Sequence, residues 1–449
     1  MRSRAAFPGP RAPRAVQLLR FLRDEEAYTN ALHRRYGDAF RVQFERRPWH
    51  MFADPQAVRE IFTAPAHVVH AGDANEILRP TLGAHSVLVI DGEEHLRQRR
   101  MLLPRFHGDR LHAWRGAMER VARERVRRMP PGRAFSLRPH MTAIALEVIL
   151  EVVLGLRGGE EHARIGAAVD RLLNWLAVPR NLVAPVILGP DHPLARRAQR
   201  PVLAPVDAAL YRLIGERRGA PDLAEREDIL SMLLLATDEH GAGMDDAEVR
   251  DEVVTLIVAG HETTATALSW AFERLTRDPA RLARLEDEAQ AGQSTEYAEA
   301  VFREALRLRP VLNNVVRTLQ EPYEICGVEY PAGDVLAPSI YLVHRRPDVY
   351  PDPRAFVPER WVERSPGTYT WIPFGGGTRR CIGAQFAQME MEIVLHAIAR
   401  EVRLEPVGAP ERPVPRFITS SPARGCEVRI AERRTTPARP REAALRAAA

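Results

Sequence analysis

The run Phe374-Gly-Gly-Gly-Thr-Arg-Arg-Cys381-Ile-Gly383 sets a single cysteine in a loop of glycines. Glycine has no Cβ, so this backbone can take conformations closed to other residues. Beyond the cysteine, apolar residues recur at Ile382, Phe386, Met389, Ile393 and Ala397. That spacing predicts a helix, and Cys381 stands where the loop enters it. A thiol there meets the positive end of the helix dipole and unpaired backbone N–H groups. Both favour the thiolate, the form that binds a metal. Gly377 and Gly383 would let a flat macrocycle come close to the backbone. A buried structural cysteine beside a tight turn is the alternative, and the loop alone does not separate the two.

The other two cysteines, Cys326 and Cys426, form no Cys-x-x-Cys pair with it or with each other. An odd, sparse count excludes a disulfide scaffold and suits a reducing, cytoplasmic setting. The 449 residues are 45% hydrophobic and 27% charged, a globular composition able to enclose a cofactor together with a substrate. Net charge is +5, and all 64 cationic side chains are arginine. They are scattered among acids with no aromatic interleaving, so no nucleic-acid partner is expected. The apolar segments 141–155 and 252–260 fall short of the ~20 residues that span a bilayer, so no membrane span is expected. The first residues lack a signal-peptide core, since Arg20 and Arg23 interrupt the only apolar stretch.

One domain over residues 15–431 is expected, with 1–14 a loose, proline-bearing lead-in and 432–449 a disordered tail. Helical patterns dominate from about 92 to 310, including 108–128, 141–155 and a long helix from Asp246 to Arg277. Strands are expected at Phe40–Phe44, Trp49–Phe52, Asn314–Leu319 and Tyr323–Tyr330, with a pair at Arg416–Thr419 and Cys426–Ile430. The fold class is therefore mainly α with small antiparallel β-sheets.

The long helix carries an anomaly. Between apolar runs it holds Ala259-Gly260-His261-Glu262-Thr263-Thr264. Polar residues in a buried helix are costly unless partnered, and Gly260 weakens the helix further. Local cost without local gain points to function. A hydroxyl backed by a carboxylate could relay protons into a dry site. A helix break with threonine hydroxyls bonded to carbonyls is the alternative. His261 reads as a satisfied core or channel residue.

Phe374-x-x-Gly377-x-Arg379-x-Cys381-x-Gly383 resembles the haem-binding signature of the cytochrome P450 family at every defined position. That resemblance implies a haem-thiolate monooxygenase with haem b as cofactor and Cys381 as the proximal iron ligand. It places Phe374 near the sulfur, Gly375 and Gly383 against the cofactor, and Arg379 on a haem propionate. A thiolate ligand favours O–O cleavage. Ala259 to Thr263 resembles the family's acid–alcohol motif. Thr263 would hydrogen-bond the oxygen being activated, Glu262 would be the adjacent acid, Gly260 would open a groove, and Ala259 would lie by the haem. Glu304 and Arg307 resemble the family's Glu-x-x-Arg pair. Pro358-Glu359-Arg360-Trp361 resembles its partner segment, so Arg360 is expected to join that network. His95 and Arg99, in Glu94-His95-Leu-Arg-Gln-Arg99, and Arg317 resemble propionate-binding positions; for the first two a solvated helix face is the alternative. The resemblance runs from about Tyr36 to Gly425, and it carries the implied fold: a long central helix over the haem and the cysteine loop beneath.

The resemblance further implies dioxygen as co-substrate and oxygen insertion into a C–H or C=C bond. A haem-thiolate peroxygenase, a non-oxygenating relative or a haem-binding sensor are alternatives. Candidate pocket segments, about 73–88, 172–188, 257–259, 311–316 and 418–420, are mostly apolar, which suggests a lipophilic substrate. Asn313 and Asn314 would orient a polar end. No flavin or iron–sulfur module is present, so electrons would come from a separate ferredoxin or flavodoxin with its reductase. Arg97, Arg100, Arg105 and Arg380 would offer it a basic face. A monomer is expected.

Overall fold

The computed structural model describes residues 8–434, apart from 45–46, 107, 179–180, 182–188, 190–191, 364–365 and 417. Its centre is the helix Asp246–Leu275, which spans 30 residues, or ~45 Å. Asp245 accepts from the backbone N–H groups of Ala247 and Glu248, while Glu248 reaches back to the Asp245 N–H. This reciprocal cap explains a sharp start. The end comes two residues before Arg277, where Thr276 caps onto Phe272 and Arg274 carbonyls.

Three helices surround it. Arg138–Val152 is buried nearly all round and packs along it. Glu296–Leu308 and Ala384–Glu401 pack on the other side, the second matching the apolar spacing after Cys381. Asp109–Arg127 in turn covers Ala384–Glu401. The side chains between these helices form one continuous core that includes Met118, Ile149, Val253, Phe272, Phe302 and Val394.

The β structure lies to one side. Five short strands order as Ala39–Val42, Trp49–Phe52, Val335–Pro338, Arg317–Leu319 and Val69–His70. All neighbours are antiparallel except Trp49–Phe52 with Val335–Pro338, which is parallel. The stretch 323–330 is a hairpin, Tyr323–Ile325 against Val328–Tyr330, rather than one strand. The expected pairing of 416–419 with 426–430 is also replaced. Pro413–Arg416 turns back on Thr419–Pro422, with Arg416 opposite Thr419 closing the hairpin. Glu427–Arg433 pairs instead with Phe135–Ser136 and Val402–Pro406. It thereby takes residues 432 and 433 out of the expected tail, and 435–449 lie outside the described residues.

Residues 8–13 are tethered rather than loose. Pro8 accepts a bond from the Arg41 N–H at 2.9 Å, and Gln17 Nε2 donates to the Ala12 carbonyl at 2.7 Å. Gly9 presses so close that a Cβ would stand 2.2 Å from the Arg41 carbonyl oxygen. The described helices include none long and apolar enough to cross a membrane.

Candidate active site

The Glu296–Leu308 helix supplies the foundation beneath the cysteine loop. Glu304 and Arg307 are fully buried and joined by two 2.8 Å bonds. Arg307 also donates to the carbonyls of His344, Pro353 and Ala355 at 2.8 to 2.9 Å. Glu304 accepts from the Val357 N–H at 2.8 Å and from Arg360 Nε at 3.2 Å, as the expected network requires. The Trp361 indole adds a 2.9 Å bond to Glu304 that sequence reasoning missed. Trp361 then meets Trp371 edge-on at 5.4 Å, and Trp371 meets Phe374 at 6.0 Å. A chain of rings thus links the ion pair to the first residue of the cysteine loop.

That loop is closed by the Cys381 N–H donating to the Phe374 carbonyl at 2.9 Å. Gly375 and Gly377 both hold positive φ, +67° and +65°. Gly377 has another duty than the one expected of it. A Cβ there would lie 1.9 Å from the Phe62 carbonyl oxygen, so its bareness serves packing against the 55–63 helix. Gly383 has open space above its Cα. Cys381 is accessible, yet surrounding protein desolvates its thiol and pushes it up. The Gly383 N–H and the charges of Arg99 and Arg380 pull the other way. Burial outweighs the helix-end effect, which reaches the sulfur through the N–H of Gly383 at the head of the helix.

Arg99 joins the thiol to a cluster of basic side chains. His95 is buried, and its imidazole is pushed down to about 3 by burial and by Arg379, Arg99 and Arg317. Burial and Arg379 push Arg317 down to about 10. Burial is also the main cause of the lowering at Arg99 and Arg379. Among the described residues, the only acid paired with any of them is Asp91, which binds Arg379. Arg379 also donates to the Val87 and Ile90 carbonyls. One buried arginine, Arg317, two half-buried ones, Arg99 and Arg379, and a buried histidine with one carboxylate among them are an unbalanced set. A ligand carrying two carboxylates would balance it. Haem is such a ligand, and Cys381 would hold its iron. The residues present therefore fit haem.

The loop 85–91 ties this cluster to the central helix. Asp251 accepts from the His85 N–H at 3.0 Å, Glu252 from the Val87 N–H at 2.7 Å, and Thr255 donates to Ser86 Oγ at 2.6 Å. Burial drives the Glu252 carboxyl well above the usual range.

The central helix runs unbroken through its polar stretch. Ala259 is exposed amid buried neighbours, so it faces an interior space. A Cβ on Gly260 would stand 3.1 Å from Ile149 Cδ1, so close helix packing explains that glycine without a groove. The Thr263 hydroxyl donates to the Ala259 carbonyl at 2.7 Å. Glu262 points elsewhere. It accepts from Arg138 at 3.0 Å and pairs with Arg416 at 3.3 Å, two partners that no local spacing announces. These three, with His261, Glu147 and His162, line a cavity of about 540 Å³ beside the 138–152 helix.

His261 lies on the wall of this cavity, as a channel residue would, and is not satisfied within the core. Both ring nitrogens are buried without a partner, and burial with Arg138 and Arg416 nearby pushes the imidazole down to about 3. Its ordinary value is 6.5, so between there and about 3 the unfolded chain binds a proton that the folded chain refuses. Stability therefore falls as pH drops through that window. His261→Leu should lose roughly 3 kcal/mol less than the parent between pH 7 and pH 4. Urea unfolding at the two pH values checks this, and an equal acid penalty would assign the effect to other groups.

Two other expectations shift. Asn314 donates to Glu25 at 2.8 Å and Asn313 bonds the same carboxyl, so both serve the helix Glu25–Tyr36 and not a pocket. Burial raises Glu25 to about 6. Of the basic face, Arg97 is taken by Asp238 and Glu248 and Arg100 by Glu239, while Arg380 stays exposed. Leu82, Val87, Leu172 and Leu176 belong to the main core. Residues 182–188 of the expected roof lie outside the described residues.

Comparison with known proteins bears on the same residues. A Mycobacterium tuberculosis protein provisionally named cytochrome P450 135B1 is 40% identical over 433 residues, 94% of this chain and 91% of its own length. A second from that organism, provisionally cytochrome P450 135A1, is 36% identical over 437 residues, 95% of each chain. Among solved structures, a cytochrome P450DA heme domain superposes with a TM-score of 0.82 at 25% identity, covering 95% of this chain and 97% of that one. The retinoic acid-bound cyanobacterial CYP120A1 gives 0.81 at 22% identity, covering 95% and 99%, which speaks for the fold alone. The family model "Cytochrome P450" matches residues 8–426, a span that takes in the cysteine loop, the buried ion pair and the cation cluster together. The cluster's demand for a dicarboxylate is thus met by a family whose cofactor is haem, and the chain belongs to that family, the cytochrome P450 haem-thiolate monooxygenases.

Proposed function

We propose that this chain uses haem b, held by Cys381, to insert one atom of dioxygen into a lipophilic substrate by C–H hydroxylation or epoxidation. The observation that carries the reading is the cluster of His95, Arg99, Arg317 and Arg379, joined to Cys381 through Arg99 and holding a single acidic partner among the described residues. Haem, when bound, supplies the iron that takes up electrons and activates dioxygen.

In this reading Cys381 holds the iron through sulfur, and Arg99, Arg317 and His95 take the propionates. Arg379 does so as well while it fixes the 87–91 loop through its carbonyls and Asp91. Gly375 and Gly383 keep the loop clear of the ring, and Phe374 packs beside the sulfur. Ala259 and Thr263 face the same chamber from above. The Thr263 hydroxyl holds a proton at Oγ1 for the reacting oxygen and takes a replacement from water. Glu262 passes protons from the charged cavity behind the helix, and Arg138 and Arg416 hold its carboxylate there until it swings. The apolar core keeps the chamber dry. Electrons come from a separate ferredoxin or flavodoxin with its reductase, and exposed Arg380 remains available to dock it. The protein works as a cytoplasmic monomer.

Thr263→Ala should lower product formed per electron consumed by roughly tenfold or more, the scale of a positioned proton donor. The lost electrons should appear as peroxide or water. The measurement is reductant consumed against product, with cofactor content held equal. Unchanged coupling would remove Thr263 from the proton path and favour the peroxide-driven alternative.

A further inference from the structure

The first helix, Arg14–Arg23, is inside out. Its buried residue is Gln17, 3% exposed, which donates to Ala12 and accepts from the Gln43 N–H at 2.9 Å. One turn on, Phe21 packs on Phe44 at 4.5 Å. These two face the body of the protein. The outward side carries Leu19 at 67% exposure, Leu22 at 59%, Val16 at 37% and Leu18 at 36%. A helix that stabilises a fold by burial turns its leucines the other way.

At about 100° per residue, Ala15, Leu18, Leu19 and Leu22 fall on one arc. Arg14 borders that arc on one side and Arg23 and Arg20 on the other. All three arginines are exposed. The bias extends along the chain: Arg2, Arg4, Arg11, Arg14, Arg20 and Arg23 precede the first acidic residue, Asp24.

We propose that this helix seats the protein on an anionic lipid surface. Leu18, Leu19 and Leu22 would enter the headgroup boundary, and the flanking arginines would pair with lipid phosphates. An apolar stripe bordered by cations is the pattern of a helix lying in a membrane interface. At ten residues it rests on the bilayer and does not cross it. A second copy of the chain fits less well. Pairing this face with itself would bring arginines against arginines, with no acid in the helix to offset them. A lipid surface supplies the missing negative charge over its whole area. The inference concerns a surface remote in sequence from the cofactor loop and stands apart from the reaction proposed above.

The experiment is co-sedimentation of the full-length, haem-loaded protein with phosphatidylcholine vesicles, with and without phosphatidylglycerol. Binding should require phosphatidylglycerol and should weaken as salt is raised. Leu19→Glu with Leu22→Glu should cut the bound fraction at least about tenfold. Arg20→Gln and Arg23→Gln should cut it about fivefold each. These side chains are exposed, so an unchanged melting curve and cofactor content confirm that each variant is folded. Binding indifferent to phosphatidylglycerol, or untouched by the double glutamate change, overturns the proposal. So does a vesicle-free dimer that the same change dissolves, since the face would then join two copies of the chain.

Discussion

Cys381→Ala is expected to lower substrate oxidation by about three orders of magnitude or more, the scale seen when an enzyme's reacting group is removed. No other thiol can take its place. Burial and Glu60 push Cys326 up to about 11, and its side chain is exposed on the far side of the 55–63 helix. Cys426 is buried, and burial with Glu273 and Glu411 drives it well above the ordinary thiol value. Cys381 is also raised by burial, but it alone has a backbone N–H on the thiolate's side, and its two arginines face no carboxylate, whereas those near Cys426 are opposed by Glu273 and Glu411. The variant should still fold, because the bond that closes the loop runs from the Cys381 backbone to Phe374. Activity should be followed against thermal melting. Substantial activity in a folded variant would assign the iron to another ligand.

Arg307→Ala is the second large effect. It removes five bonds from a site with no solvent: two to Glu304 and one each to His344, Pro353 and Ala355. Glu304 would be left in the core with only the Val357 N–H, Arg360 and Trp361. Breaking a buried pair by deleting one partner costs about 3–5 kcal/mol. Against a stability of ~5–15 kcal/mol, that is a large share. The damage should reach the cysteine loop along Trp361, Trp371 and Phe374, so cofactor retention should fall together with stability. Glu124→Ala serves as a control, because Glu124 and Arg127 share the same spacing without a buried ion pair. It should stay within about 0.5 kcal/mol of the parent. Equal effects of the two changes, read from urea midpoints, would contradict the scaffold role.

The sequence carried local chemistry well and distant partners poorly. The glycine run around Cys381, the polar stretch at Ala259 to Thr264 and the spacing of Glu304 and Arg307 are all local signals. Each found a counterpart in the fold. Glu262 shows where that stops. Its partner Arg138 is 124 residues away and Arg416 lies on a hairpin that forms only once the chain has folded. Gly377 and Gly260 were legible as special positions but not in their reason. Both admit a neighbour, Phe62 and Ile149, whose approach no spacing announces. The 413–422 hairpin was displaced because Pro413 and Pro415 argue against a strand, whereas an edge strand tolerates them. The outward leucines of the first helix were visible as residues, but their direction depended on Gln17 and Phe21 docking inward.

The account rests on sulfur from Cys381 reaching the haem iron. The most direct test is the absorption spectrum of the reduced protein under carbon monoxide. A thiolate ligand predicts the strongly red-shifted Soret band for which the family is named, and Cys381→Ala should abolish it. A band at the position typical of histidine ligation in the unmodified protein, or a red-shifted band that survives Cys381→Ala, would contradict the assignment.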